Sequence, residues 1–394
     1  MNPLLAAGNI VGYIGAIILW LQAVFGSRHI FKYLTSDTVL INKIHKQLGI
    51  YGMLLIFLHP LLEMMVRLEN LLWILTPDFV IPFATYITLG KIAFFLLVFI
   101  WITSALVREK IKWKPWKYIH LLSYPLVLLV FIHMKMIGTF MEEYIIIQTI
   151  WFSMLLIFII ASIARLLAYA GVLKNKSKIT ALSMVGESIL ILTLKPSASI
   201  TQAFGQHIYL QSGPFRSEHP FTIMENHQDT GEITLGIRKL GGLWGELMTK
   251  KVGDILLIDG PYGVFTREAQ NTNPKVIIAG GIGVTPFVDL MRNYGMNTIY
   301  INCNRQIEDA VRKDVLMTHA KSYIDIVETY TGEPNPSIRV GRITKEILQD
   351  VVGSDITSTP YFICGSPMFI TIVKGILRDI GVPKKSIYFE ELGF

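Results

Sequence analysis

Charge is scarce in this 394-residue chain. Only 16% of its residues are Asp, Glu, Lys or Arg, where about 25% is usual for a soluble protein, and 52% are hydrophobic. A large part of the chain therefore belongs in something other than water. Cysteine is scarcer still. Cys303 and Cys364 are the only two, which excludes a disulfide framework and fits a reducing compartment. The first part of the chain also lacks acid: residues 1–174 hold 14 Lys+Arg against 7 Asp+Glu, and the remainder holds 22 against 22. The net charge of +7 thus arises wholly in the apolar part, as membrane topology requires and a nucleic-acid footprint does not. Neither a calcium-binding loop nor a proline-rich or interaction tail is present, so no obligatory protein partner is expected.

Five apolar stretches, near 4–25, 44–66, 83–106, 117–137 and 144–169, reach the roughly 20 residues of helix that cross a hydrocarbon core. The first has no charged n-region and no A-x-A site, so it reads as a retained helix and not a signal peptide. Basic residues cluster in alternate loops. Arg28, Lys32, Lys43 and Lys46 follow the first helix; Arg108, Lys110, Lys112, Lys114 and Lys117 follow the third; Arg165, Lys174, Lys176 and Lys178 flank the end of the fifth. The other loops hold little beyond Arg67 and Lys135, and carry Glu69, Asp78, Glu142 and Glu143. The positive-inside rule then puts the N-terminus outside and the long C-terminal part in the cytosol, as in a multi-pass plasma-membrane protein.

Four histidines lie inside these helices, His45 and His59 on the second, His120 and His133 on the fourth. An imidazole in a membrane helix is costly and has a task or a partner. The separations of 14 and 13 residues correspond to about 21 and 19 Å of helix. Both helices start on the cytosolic side, so His45 and His120 share an inner level while His59 and His133 share an outer one. Facing imidazoles at two depths meet the needs of two stacked haems with axial histidines; packed structural histidines, another metal or a proton path are the alternatives. Fourteen steps of about 100° nearly regain the starting face, but thirteen miss by about 140°. The fourth helix therefore needs a distortion, and Pro125 lies between its histidines.

Beyond Lys178 the pattern becomes short, alternating, β-branched runs separated by turns, as in an antiparallel sheet or barrel. Ile189–Leu194, His207–Gln211, Ile233–Ile237 and Ile255–Ile258 are the clearest strands. After the polar 270–274 linker, apolar strands at Val276–Ala279, Ile299–Asn302 and Tyr361–Cys364 alternate with amphipathic stretches, the signature of a doubly wound parallel sheet with a nucleotide at its strand ends. Gly280-Gly281-Ile282-Gly283-Val284-Thr285-Pro286 follows the first of these strands and opens a helix. Such glycines let a pyrophosphate approach the backbone, although glycine-rich turns before helices are common. Cys364-Gly365-Ser366-Pro367 ends a later strand, where a small thiol could abut a nicotinamide or simply be buried. Arg305 follows the second strand where an acid would bond the ribose of NAD; its presence there favours NADPH, a solvated surface arginine being the alternative.

The whole chain resembles the NADPH oxidase and ferric reductase flavocytochrome b family, and most of all a short prokaryotic NADPH oxidase. The resemblance rests on the two histidine spacings, His219-Pro220-Phe221-Thr222, Arg238, Gly260-Pro261-Tyr262-Gly263, Gly280–Pro286, Cys364–Pro367 and the final Phe394. It implies a di-haem membrane domain over 1–174 and a ferredoxin-reductase-like part, with an antiparallel β-barrel FAD domain over 175–270 and an α/β Rossmann-like NAD(P) domain over 271–394. It also implies that His219 to Thr222 hold the flavin, that Arg238, with Gly241 beyond it, meets the FAD pyrophosphate, and that Phe394 stacks on the flavin and yields to nicotinamide. Leu243-Trp244 depart from the Trp-Thr of many members, and five helices stand where the larger oxidases have six, as though the first were missing. The implied function is a transmembrane NAD(P)H oxidase, taking electrons from cytosolic NADPH through FAD and two b-type haems to dioxygen outside and producing superoxide. A ferric-chelate reductase with the same electron path, or an electron-transfer module feeding a partner, are the alternatives. A transporter would need a polar path that these helices do not provide.

Overall fold

The structure is a computed structural model that describes residues 3–392 except 33, 68, 70, 71, 202, 203, 331 and 334. It divides into two compact units, Met1–Leu167 and Ala168–Phe394.

The first unit contains five membrane-length spans. They are formed by α1 (Pro3–Phe25), α2 (Thr38–Arg67), α3 (Pro82–Trp101) with a π-turn over Ile102–Leu106, α4 (Trp113–Leu121) with α5 (Ser123–Ile137), and α6 (Ile145–Tyr169). Pro82 opens α3 at a position where its missing N–H costs nothing. The expected distortion of the fourth span is a break at Leu122, between α4 and α5. Pro125 has no N–H to offer the carbonyl four residues back, that of Leu121, so the hydrogen-bond ladder is interrupted there. Apolar side chains point both ways. Ala16, Leu19, Met53, Ala93, Leu126, Phe131, Trp151 and Phe158 pack inside the bundle, while Leu54, Leu61, Ile145, Ile160 and Leu166 face outward and exposed. So much outward apolar surface suits lipid and not water, and the chain is a multi-pass membrane protein. Small residues let the helices close: a Cβ on Gly15 would meet Ile56 at 3.0 Å.

The second unit starts with a closed antiparallel barrel in the order β1-β2-β5-β4-β3-β6. Its strands are β1 (Asn175–Val185), β2 (Ile189–Pro196), β3 (His207–Gln211), β4 (Glu218–His227), β5 (Glu232–Arg238) and β6 (Ile255–Tyr262), with α7 (Gly241–Met248) between the last two. Alternation puts Ile179, Leu192, Leu194, Ile208, Leu210, Ile233 and Leu256 inside. A parallel sheet follows, in the order β10-β9-β8-β7-β11-β12. Its strands are β7 (Lys275–Gly280), β8 (Thr298–Asn304), β9 (Ser322–Val327), β10 (Ile338–Val340), β11 (Tyr361–Gly365) and β12 (Ile387–Glu391). The helices α8 (Val288–Tyr294), α9 (Lys313–His319), α10 (Lys345–Val352) and α11 (Pro367–Ile380) connect them. Barrel and sheet share a core, in which Ile189 and Met224 pack with Ile277, Val284, Phe287 and Cys364. Glu225 on β4, only 1% exposed, pairs with Arg292 and Arg312 from the sheet side.

Candidate functional site

Within the bundle the four histidines form two pairs. The rings of His45 and His120 have centres 6.0 Å apart at 70°, and those of His59 and His133 lie 6.4 Å apart at 78°. Three of the four are held the same way, by Nδ1 against a backbone carbonyl: His45 to Gln22 at 2.8 Å, His59 to Gly8 at 2.9 Å and His133 to Tyr86 at 2.9 Å. A carbonyl can only accept, so each Nδ1 carries the hydrogen and each Nε2 keeps its lone pair for another partner. The fourth differs. Nδ1 of His120 meets the hydroxyl of Ser104 at 3.2 Å.

Two imidazoles sharing one metal ion, each nitrogen about 2 Å from it and each ring centre ~1.1 Å behind its nitrogen, have centres about 6 Å apart. Both pairs meet that spacing, with the second-shell hydrogen bonds that metal-bound imidazoles use. Among the described residues no group of three or more His, Cys, Asp and Glu side chains gathers as a metal site. The pairs therefore do not suit a bare ion held by protein alone, but they suit an iron that already has four porphyrin nitrogens and needs two more ligands. The second pair also opens on free space. A cavity of about 350 Å³ touches His59 and His133 and is lined by Gly12, Gly15, Ala16, Gly90 and Ala93. A Cβ on Gly12 would come within 2.9 Å of the His59 ring, and one on Gly90 would overlap the His133 ring. Glycine at both places is what lets the imidazoles sit where they do.

In the second unit, His219, Pro220, Phe221 and Thr222 lie on β4, an edge-to-edge partner of β3. Pro220 is exposed, Phe221 leans on the barrel core and Thr222 is buried. Burial lowers the proton affinity of His219, opposed by the nearby Glu246 and Glu218 carboxylates. Arg238 ends β5, and its guanidinium lies 3.5 Å from where a Cβ on Gly281 would stand. Gly281 has φ +56° and Gly241 φ +69°, conformations that a side chain would strain. The loop Gly281–Phe287 is a tight helical turn after β7, and Gly283 is forced: a Cβ there would strike the backbone of Cys364, 2.6 Å from its carbonyl carbon. The Thr285 hydroxyl donates to the Ile282 carbonyl at 3.0 Å, and Pro286 is buried beside it.

Cys364 sits at the end of β11, fully buried, and burial pushes its thiol well above the usual range. Gly365 packs on the Phe369 ring. The Ser366 hydroxyl caps α11 by accepting the Phe369 N–H, with Pro367 as the first helical residue. Arg305 is exposed just past β8. Phe394 lies outside the described residues.

The structure also assembles residues that the sequence left unremarked. Ser104 and Trp116 surround His120, and the Trp116 ring stacks on it with centres 4.9 Å apart. The Trp-x-x-x-His spacing was a readable hint, since residues four apart share a helix face; Ser104 gave none. At the sheet, the wholly buried Asp325 accepts from Asn302 at 3.0 Å and Tyr323 at 2.8 Å and pairs with Lys313 at 2.6 Å. Glu390 on β12 stands in register with Cys364, and burial pushes its carboxyl up to about 7.

Comparison with known proteins extends these observations. Residues 11–131 match the ferric reductase like transmembrane component, 174–280 an FAD-binding domain and 277–375 an oxidoreductase NAD-binding domain. The reductase component of propane 2-monooxygenase from Rhodococcus jostii is 25% identical over 237 residues, covering 55% of this chain and 63% of that protein. Flavohemoprotein A of Dictyostelium discoideum is 28% identical over 151 residues, 36% of each chain. The chain thus spans about a third to just under two thirds of these curated relatives. A flavohemoglobin structure from Malassezia yamatoensis aligns over 99% of this chain and 98% of its own at 18% identity and a TM-score of 0.50, a likeness of fold. With a ferric-reductase-like membrane component followed in order by FAD-binding and NAD-binding domains, the chain has the architecture of the NADPH oxidase and ferric reductase flavocytochrome b family.

Proposed function

We propose that the protein is a transmembrane NAD(P)H oxidase that moves electrons from cytosolic NADPH to dioxygen on the outer face, with superoxide as product. The observation that carries this reading is the two facing imidazole pairs, at 6.0 and 6.4 Å, in a chain that also has flavin and dinucleotide domains. When bound, FAD accepts a hydride and releases single electrons, and two b-type haems carry them one at a time.

The chain's own part is holding and orienting. In this reading 1–174, 175–270 and 271–394 are its working domains. His45 with His120 would hold one haem and His59 with His133 the other. His219, Pro220, Phe221 and Thr222 would seat the flavin, and Arg238 with Gly241 its pyrophosphate. Gly280, Gly281, Gly283, Thr285 and Pro286 would cradle the dinucleotide, with Gly365, Ser366 and Pro367 closing the opposite strand end. Cys364 and Phe394 would flank the nicotinamide. Exposed Arg305, just past the Asn302-Cys303-Asn304 strand end where an acid would bond the ribose of NAD, favours the 2′-phosphate of NADPH over NADH.

Dioxygen is favoured as acceptor because the outer loops, Arg67 to Pro82 and Lys135 to Tyr144, are short and their sequence holds no His, Cys or acidic cluster suited to a metal chelate. The test is NADPH consumption by purified protein, scored by superoxide dismutase-sensitive cytochrome c reduction beside ferric-chelate reduction. Dismutase-sensitive reduction without added partner is expected. Chelate reduction alone would make the protein a metal reductase, and no turnover without a partner would make it an electron-transfer module. Absence of a haem Soret band would end the histidine reading.

A further inference from the structure

The four histidines are not equivalent, and the difference lies in what each Nδ1 touches. His45, His59 and His133 each face a backbone carbonyl, a pure acceptor. His120 faces a hydroxyl, which is able to donate or accept. That hydroxyl is itself engaged: the Trp116 indole N–H donates to Ser104 Oγ at 3.2 Å. The π-turn Ile102–Leu106 makes this possible. Thr103 inside it bonds back to the Phe99 and Ile100 carbonyls, leaving the next side chain, Ser104, to meet His120. π-turns recur at functional positions because they re-aim side chains in this way. The Arg108 guanidinium lies 4.5 Å over the Trp116 ring, whose other aromatic contacts are His120 and Trp113. Among the described residues, none of the other three histidines has such a stack.

We propose that Ser104 is a positioning residue that sets the ligand strength of His120 and so makes the His45/His120 site electronically distinct from the His59/His133 site. The inference rests on the haem-ligand reading above. A strong acceptor on Nδ1 pushes electron density into an imidazole and strengthens it as a ligand. Ser104, already accepting from Trp116, is a weaker acceptor than a carbonyl, so His120 is the weakest donor of the four. Weaker donation leaves an iron easier to reduce. Ser104 therefore sets the potential of the His45/His120 site more positive than a carbonyl on His120 would.

The test is redox titration of the purified, haem-loaded protein, with haem content per flavin measured alongside. Ser104→Ala removes the acceptor and is expected to move one of two potentials positive while leaving the other in place, by up to a tenfold change in its reduction equilibrium, about 59 mV for one electron. Trp116→Phe keeps a stacking ring, frees Ser104 to accept more strongly and is expected to shift the same potential the opposite way. Ser104→Thr should restore the parental value. Loss of one haem in Ser104→Ala, with both retained in Ser104→Thr, also supports the assignment. Two unchanged potentials, equal shifts of both, or shifts of the same sign in Ser104→Ala and Trp116→Phe would overturn it. Protein with no haem at all would instead overturn the reading beneath it.

Discussion

Replacing Gly90 with alanine tests the second histidine pair with a single methyl group. That methyl would lie 3.0 Å from Cγ of the His133 ring and closer still to Cε1 and Nδ1. Ordinary carbon contacts need about 3.5–4.0 Å, so the ring must move by about an ångström or the helices must part. The Nδ1 hydrogen bond to the Tyr86 carbonyl, 2.9 Å as it stands, does not survive such a shift. A buried donor left without its acceptor costs about 1–3 kcal/mol, and at 1.4 kcal/mol per tenfold this predicts roughly 5- to 150-fold weaker haem binding at this pair. The assay is haem per flavin in purified protein, with the Soret band of each variant. Gly90→Ala should fall toward one haem per flavin. Gly15→Ala, whose methyl crowds Ile56 at 3.0 Å and not a histidine ring, should keep two. A Gly90→Ala protein with two haems and unchanged spectra would refute the claim that His133 is held in place to bind one.

Three further outcomes are expected. Gly283→Ala drives a methyl into the Cys364 backbone, which cannot yield as a side chain can; NADPH-driven flavin reduction should drop at least tenfold while haem content is unchanged, as absorbance will show. Glu225→Gln leaves two arginines facing a neutral group between barrel and sheet. Since both arginines are more than a third exposed, about 2 kcal/mol of stability should be lost rather than the larger figure for a fully buried pair, read as a lower temperature of flavin release. Glu390 has its carboxyl raised from 4.5 to about 7, so the folded protein holds its proton more tightly than the unfolded chain. Stability should therefore fall as pH rises from about 4.5 to 7, by about 3 kcal/mol in all, and level off above that. Thermal unfolding of Glu390→Gln should lack this slope.

The five spans were legible because length and apolarity alone decide what crosses a bilayer, and their ends lie close to the expected ones except where polar turns of helix continue the second and fourth spans. The strands at Ile189, His207, Ile233, Ile255, Val276, Ile299 and Tyr361 were legible from short-range alternation or apolar runs. Strand β4 was harder. His219-Pro220 reads locally as a turn, and only pairing with β3 and β5 makes it extended. Strands β9, β10 and β12 likewise owe their state to parallel neighbours distant in sequence.

The histidine spacings and Pro125 are properties of the sequence, and with helix geometry they determine that two imidazoles on each helix stand at two depths and that the fourth span must bend. Which atoms hold those imidazoles is another matter. The Gln22, Gly8 and Tyr86 carbonyls that fix three tautomers belong to other helices and carry no side-chain signature. Ser104 reaches His120 only because a π-turn re-aims it. A backbone carbonyl is the same in every residue, so its role as a partner is decided by packing, and packing exists only in the folded chain.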